Sequence, residues 1–307
     1  MSHESRRVLA GSLLAIGALL GLPRLAVGQS WCNNPIAPCD PDDAGSACYV
    51  PKPHDPRCEP DDCDKCRKSP CYVATGSYVT GGTDLVLPTA GLSLVASRKY
   101  ESARAIDGPL GVGWSTSLAP VLYYATYLLV APSTTVRQAY VRMPDGSGYR
   151  FTENGASFAP PLGRRDILSR RADGGFTLAT AGGGMSMEFD TAGRIESLAD
   201  PFGNEHEYAY DGGGQLIRVS DTAGSERYLD VHWGADGRIS AVVDSAGRQV
   251  EYRYSVSGAL VEVEDVVART WHFNYSGGRF GPVLAEHRDP WQRIVASIVY
   301  DSRDRVT

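Results

Sequence analysis

No cysteine follows Cys71 in this chain of 307 residues, so everything beyond that point folds without disulfides or thiolate-bound metal. Absent too are a Gly-x-Ser-x-Gly elbow, a His-Glu-x-x-His pair and a phosphate-binding loop. Gly108, Gly111 and Gly113 are close together, but no helical pattern follows them to present its amides to an anion. Basic excess is lacking: the chain carries 30 basic and 36 acidic side chains, a net charge of −6. That argues against a nucleic-acid partner, which needs a basic stripe to displace counterions. After Leu22 no apolar run is long enough to span a bilayer. Helical periodicity is scarce while glycine is abundant, at 34 residues, which favours short strands joined by tight turns.

The first 28 residues read as an export signal. Arg6 and Arg7 precede an uncharged apolar run from Val8 to Leu22, Pro23 ends it, and Ala26-Val27-Gly28 offers small residues for cleavage before Gln29. Ser5-Arg6-Arg7-Val8-Leu9 is compatible with twin-arginine as well as Sec export. A secreted, periplasmic or cell-surface location is therefore expected. Loss of Arg6, Arg7, Arg24 and Glu4 would bring the net charge to −8.

Residues 29–71 hold Cys32, Cys39, Cys48, Cys58, Cys63, Cys66 and Cys71 among prolines and acids, with almost nothing aliphatic. Such a stretch cannot bury a core, so covalent or metal staples must order it. Cys63-Asp64-Lys65-Cys66 has a spacing that suits two thiolates on one ion. A second such pair about fifteen residues away, as in a zinc ribbon, is missing. Structural disulfides are the better reading, with one thiol left over.

Residues 72–135 form an opening block of short motifs: Ala74-Thr75-Gly76, Thr83 to Pro88, Leu92-Ser93-Leu94, Ser97 to Tyr100 and Gly108 to Ser115. Arg98 and Tyr100 read as strand residues rather than a site. The apolar run Leu122 to Val130 suits a buried strand. Residues 136–185 are strand-rich, with turn signals at Met143 to Gly146 and Ala172 to Gly175. With no low-complexity linker, one continuous sheet is expected from about Tyr72 onward.

Residues 186–307 are a repeat. Aromatic anchors recur at Phe189, Tyr210, Trp233 and Tyr254, and again at Tyr275 and Tyr300. In the first four copies a glycine follows at the fourth position (Gly193, Gly214, Gly237, Gly258) and an aliphatic two further on (Ile195, Leu216, Ile239, Leu260). An aspartate comes eleven after the anchor (Asp200, Asp221, Asp244, Asp265), then a small residue. A fixed period of this kind marks a repeat architecture. Each copy reads as one β-hairpin, with the glycine in a left-handed loop position and the aspartate opening the next turn. Leu216 and Val219 are three apart, which strict alternation would place on opposite faces unless a bulge intervenes. In the fifth copy Gly278 comes early and Glu286 to Trp291 is inserted; the chain then stops partway into a hairpin that starts at Tyr300. An open edge there, blunted by Pro290 and nearby charges, is expected to fray or self-associate from about Phe280.

The period, together with the literal Tyr-Asp pairs at Tyr210-Asp211 and Tyr300-Asp301, resembles the tyrosine–aspartate (YD) repeats of Rhs proteins. Related repeats occur in teneurins and insecticidal toxin complexes. The opening block looks like the domain that begins the β-shell in many of these proteins. The resemblance implies an all-β fold: a continuous antiparallel sheet of repeated hairpins, forming a partial β-shell and preceded by the cysteine segment. It also implies a non-enzymatic, exported structural protein without cofactors, related to polymorphic toxins or cell-surface proteins. The partner would be a toxin or further repeats encoded downstream. The alternative is a surface module that binds glycan or protein through exposed repeat aromatics; exposure of Tyr208, Tyr252 and Trp233 distinguishes the two.

His54, His206, His232, His272 and His287 remain as possible bases or ligands, but three fall beside anchors and read as strand residues. A row of repeat aspartates would attract calcium if their oxygens converged; turn bonding explains them better. Asp200-Pro201-Phe202-Gly203, which resembles part of a self-cutting element of some Rhs shells, is likewise explained as a turn.

For the cysteines the expected outcome is at least two disulfides within Cys32–Cys71 and little bound metal. Mass spectrometry of exported material checks this: seven reduced thiols, or stoichiometric zinc, would contradict it.

Overall fold

The computed structural model describes residues 71–72, 76–104, 107–130, 133–155, 157–224, 226–279 and 281–307. The export signal and the cysteines from Cys32 to Cys66 lie outside the described residues, and Cys71 enters only through its backbone. Among the described residues there is no helix. The opening block contains β1 (Cys71–Tyr72), β2 (Ser77–Leu87), β3 (Leu94–Glu101), β4 (Asp107–Gly108), β5 (Gly111–Val112) and β6 (Trp114–Thr116). The next passage contains β7 (Val121–Val130), β8 (Ser133–Arg142), β9 (Gly148–Asn154) and β10 (Ser157–Ala159). Then come β11 (Ile167–Arg170), β12 (Phe176–Ala179), β13 (Ser186–Phe189), β14 (Ile195–Ala199), β15 (Glu205–Tyr210), β16 (Leu216–Asp221) and β17 (Tyr228–Trp233). The last are β18 (Ile239–Asp244), β19 (Gln249–Tyr254), β20 (Leu260–Glu264), β21 (Thr270–Gly278), β22 (Gly281–Arg288) and β23 (Ile294–Ser297).

The fold is all-β and built of repeated hairpins: β11 to β23 form one 13-stranded antiparallel sheet whose neighbours in space are neighbours in sequence. The single sheet expected from Tyr72 does not exist. β1, β2, β3 and β6 make a four-stranded opening sheet, β4 and β5 a small ribbon, and β7 to β10 a second four-stranded sheet. Prolines make the divisions. Pro120 stands just before β7, and Pro160-Pro161 just after β10, where the missing amides end a ladder. Among the described residues β7 meets the long sheet at the isolated Val121–Arg194 bridge, beside which the Leu122 amide donates to the Gly193 carbonyl. The run from Leu122 is also not a buried strand. It begins on an edge, with Leu122 buried and Tyr123 49% exposed on the opposite face.

Two apolar clusters hold the sheets together. Leu85, Leu94, Tyr100, Leu110 and Trp114 of the opening block pack with Leu216, Leu229, Ile239, Val250, Leu260 and Leu284 of the long sheet. Leu122, Val141, Phe151 and Phe158 pack with Phe176, Met187, Phe189 and Ile195. The opening sheet thus covers one face of the repeats instead of extending them. Along β3 burial alternates residue by residue, and Leu94, Ala96, Arg98 and Tyr100 all face this seam.

The bulge is present, and it recurs. Phe189 pairs with Ile195, but Glu188 pairs with Ser197, leaving Glu196 extra. The same shift follows Tyr210–Leu216, Trp233–Ile239, Tyr254–Leu260 and Tyr275–Leu284. In the second copy it puts Leu216 and Val219 together in the core and turns Ile217 outward. The final segment is paired as well. Tyr300 bridges Val306, the Val306 amide donates to the Gly76 carbonyl at 2.8 Å, and Ile294, Val295 and Val299 are exposed along the edge.

Candidate functional site

The bulges leave a specific vacancy on the backbone. Between consecutive hairpins the ladder begins at Ser197–Glu207, Arg218–Asp230, Ala241–Glu251 and Glu262–His272. Ile195, Leu216, Ile239 and Leu260 lie beyond the end of those ladders. Each carbonyl is met instead by the polar tip of the next anchor. Tyr210 Oη donates to Ile195 at 2.7 Å, Trp233 Nε1 to Leu216 at 2.8 Å, and Tyr254 Oη to Ile239 at 2.7 Å. Tyr275 Oη donates to Leu260 at 2.8 Å and Tyr300 Oη to Leu284 at 2.7 Å. This explains why the anchors after the first are tyrosine or tryptophan, rings that carry a donor on an apolar body. Phe189, which starts the row, has no such donor and is fully buried. Burial raises the phenols of Tyr210, Tyr254, Tyr275 and Tyr300, so they stay protonated as donors.

The loops share a second device. In Asp190-Thr-Ala-Gly193-Arg194 the Asp190 amide donates to the Arg194 carbonyl and the Gly193 amide to the Asp190 carbonyl. Oδ1 accepts the amides of Ala192 and Arg194, while Oδ2 takes the Arg194 guanidinium at 2.7 Å. The same clamp closes Asp244–Arg248, Asp265–Arg269, Asp289–Arg293 and Asp301–Arg305. The fourth loop residue is left-handed: φ is 81° at Gly193 but also 60° at Ala268, 64° at Gln292 and 59° at Asp304. A side chain there costs about 1–2 kcal/mol. The three loops with a side chain at this fourth position carry both the aspartate and the arginine, whereas Gly234 and Ser255, which replace the aspartate, are followed by Gly237 and Gly258. The other left-handed side chain, Glu226 at 49°, lies in the longer loop from Asp221 to Arg227.

The repeat aspartates are therefore engaged in turns, including Asp200, whose Oδ1 accepts the amides of Phe202 and Asn204. Among the described residues no group of three or more His, Cys, Asp or Glu side chains is placed to hold a metal ion. Partial burial alone would raise the Asp265 carboxyl, but Arg269 and the loop amides outweigh it and hold it low. At Asp301 the Arg305 amide and then its guanidinium pull the carboxyl down to about 2.

The third feature is the polar seam inside the molecule. Asp84 of β2 and Arg98 of β3 form an ion pair with side chains 4% and 5% exposed. Tyr252 from the repeats donates to the other Asp84 oxygen at 2.9 Å. The Arg98 guanidinium lies 5.8 Å from the Trp114 ring and 5.4 Å from Phe273, and burial draws its pKa down to about 10. Trp114 Nε1 donates to Tyr275 Oη at 2.8 Å, and the Leu284 amide donates to Tyr100 Oη at 2.9 Å. Tyr78 Oη and His287 Nε2 are 2.9 Å apart, and His206 Nε2 is 2.8 Å from the Leu92 carbonyl. Gly193 touches the second sheet so closely that a Cβ would collide with the Leu122 carbonyl.

Sequence reasoning placed the anchors and the turns but missed the carbonyl acceptors, the clamping arginines and the Asp84–Arg98 pair. The arginines had a signal: Asp-x-x-Gly-Arg occurs at both 190–194 and 244–248. Of the three aromatics proposed as diagnostic, Tyr252 is buried, and Tyr208 and Trp233 are half-buried against the core. His206 and His287 are buried strand residues, whereas His232 is exposed and His272 lies 3.5 Å from Glu262. His54 lies outside the described residues.

Residues 68–151 match a domain family described as a domain of unknown function (DUF6531). No curated protein matches the chain. Among solved structures, one similar chain is that of TcdB2-TccC3 without its hypervariable C-terminal region. Its TM-score is 0.33 at 13% identity, covering 76% of this chain and 15% of that one. Another is a protein of unknown function from Bacteroides caccae, with a TM-score of 0.13 at 13% identity, covering 74% of this chain and 85% of that one. This chain thus spans a small part of the TcdB2-TccC3 chain it matches.

The loop clamps predict an acid limb of stability. Because Asp265, Asp289 and Asp301 are held below the usual range, their contribution is present above the free carboxylate value of about 3.9 and is lost as the pH falls through their folded values. The thermal midpoint should therefore drop between about pH 4 and pH 2. Asp265→Asn should lower the midpoint at neutral pH and flatten that drop.

Proposed function

We propose that the chain is an exported, non-enzymatic β-shell protein of the Rhs type, in which a sheet of hairpin repeats is closed on one face by the opening sheet of the same chain. One observation carries this reading: the repeat anchors from Tyr210 to Tyr275 pack against the apolar cluster shared with the opening sheet, and their polar tips are engaged by backbone carbonyls of the preceding hairpin. A module that recognises glycan through these rings would need their faces and donors free. The ordered motifs of the opening block also support it, as does the overlap of that block with the matched domain. The resemblance suggests a role related to polymorphic toxins or to cell-surface proteins. Its partner would then be a toxin or further repeats encoded downstream, and its route out of the cytoplasm the signal at residues 1–28.

Export and non-binding are tested together. Cell fractionation with N-terminal sequencing should find the chain outside the cytoplasm, beginning at Gln29. On a glycan array the exported chain should show no saturable binding. Saturable binding that disappears in Trp233→Phe would overturn the shell reading in favour of a surface-binding module.

A further inference from the structure

His287 occupies an unusual position on the seam. It sits on β22 between Phe273 of β21 and Ala296 of β23, and only 6% of it is exposed. Its ring stacks on Phe273 at 6.1 Å and reaches the opening sheet through Tyr78 Oη. Tyr78, which it touches, is neutral, and Arg98, whose guanidinium lies 5.4 Å from the same Phe273 ring, is a cation close enough to repel its charged form. The carboxylate paired with that cation, Asp84, is already engaged by Arg98 and Tyr252. The adjacent β22 charges, Glu286 and Arg288, pair with each other on the opposite face. Burial lowers His206, the other buried histidine at this interface, as well, but there the Leu92 carbonyl, Asp221 and Asp200 act against burial and favour the charged form.

We propose that His287 is a proton-sensitive latch between the opening sheet and the last repeats. Neutral, it closes on Tyr78; protonated, it sets a second cation beside Arg98 in an apolar pocket with no free carboxylate to answer it, and the seam loosens there. Desolvation, followed by the repulsion of Arg98, holds the imidazole below its ordinary 6.5. For a group shifted in this direction, stability is whole above the free value and drains away as the pH falls from there through the folded value. The device depends only on the contacts at the seam and stands whether or not the chain forms a shell.

Hydrogen exchange of the exported chain at pH 7 and pH 5, corrected for intrinsic rates, tests it. The latch predicts loss of protection at pH 5 in Ser77–Leu87 and Gly281–Arg288, with β11 to β14 unchanged. His287→Gln, which keeps a hydrogen-bonding group for Tyr78 but cannot titrate, should retain protection at both pH values, whereas the exposed-site control His232→Gln should behave as wild type. Unchanged protection in the wild type at pH 5, or an equal loss in His287→Gln, would overturn the proposal. Should His287→Gln fail to fold, the imidazole resonances of the wild type decide: a His287 ring that titrates at or above 6.5 contradicts the latch.

Discussion

The structure of the repeats depends on one extra residue per hairpin. The bulge after each anchor brings an aliphatic side chain into the core and carries its carbonyl past the end of the ladder with the next hairpin. A buried carbonyl left alone would cost about 1–3 kcal/mol. The anchor of the following hairpin supplies the missing donor, so adjacent units are joined by a bond that neither can make by itself. That geometry sets the anchor's identity, its spacing and the direction in which the aromatic face points. It also leaves Trp233 acceptable where its neighbours are tyrosine, because the indole is a donor on a large apolar ring.

The opening sheet is held by different means. Its contacts with the repeats include a buried ion pair, which is weak evidence of stability in itself because desolvation offsets the attraction. Removing one partner is another matter: an unpaired buried charge costs about 3–5 kcal/mol. Asp84, Arg98 and Tyr252 therefore specify how the opening sheet sits on the repeats more than how strongly it is held. The aromatic rings around Arg98, and the tilted Tyr100–Trp114 pair at 5.2 Å, enclose that specification in apolar surface.

How much of this was readable beforehand follows from how local each feature is. The hairpins were legible because the anchor, the loop glycine and the turn aspartate act within a few residues of one another. Even the bulge left a trace, in the three-residue gap between Leu216 and Val219. The Asp–Arg clamps were legible in principle, since both members lie within one five-residue loop. The division into sheets was signalled by Pro120 and Pro160-Pro161, yet the absence of a flexible linker suggested continuity. The seam could not be read, because the bonds that cross from the opening sheet to the repeats join residues more than a hundred apart: Asp84 to Tyr252, Trp114 to Tyr275, Tyr78 to His287. In the sequence Arg98 is simply a charged residue in an alternating strand; only the folded chain supplies Asp84 and two ring faces around it.

The central claim is that anchor tips couple neighbouring hairpins, and native-state hydrogen exchange on Tyr254→Phe tests it most directly. The substitution removes a single hydroxyl, the donor to the Ile239 carbonyl. The account predicts a loss of about 1 kcal/mol, seen as faster exchange concentrated in β17 to β20, with β11 to β13 unaffected, because damage in a stacked array stays mainly with adjacent units. Unchanged exchange in β17 to β20, or an equal acceleration across all thirteen strands of the long sheet, would contradict it.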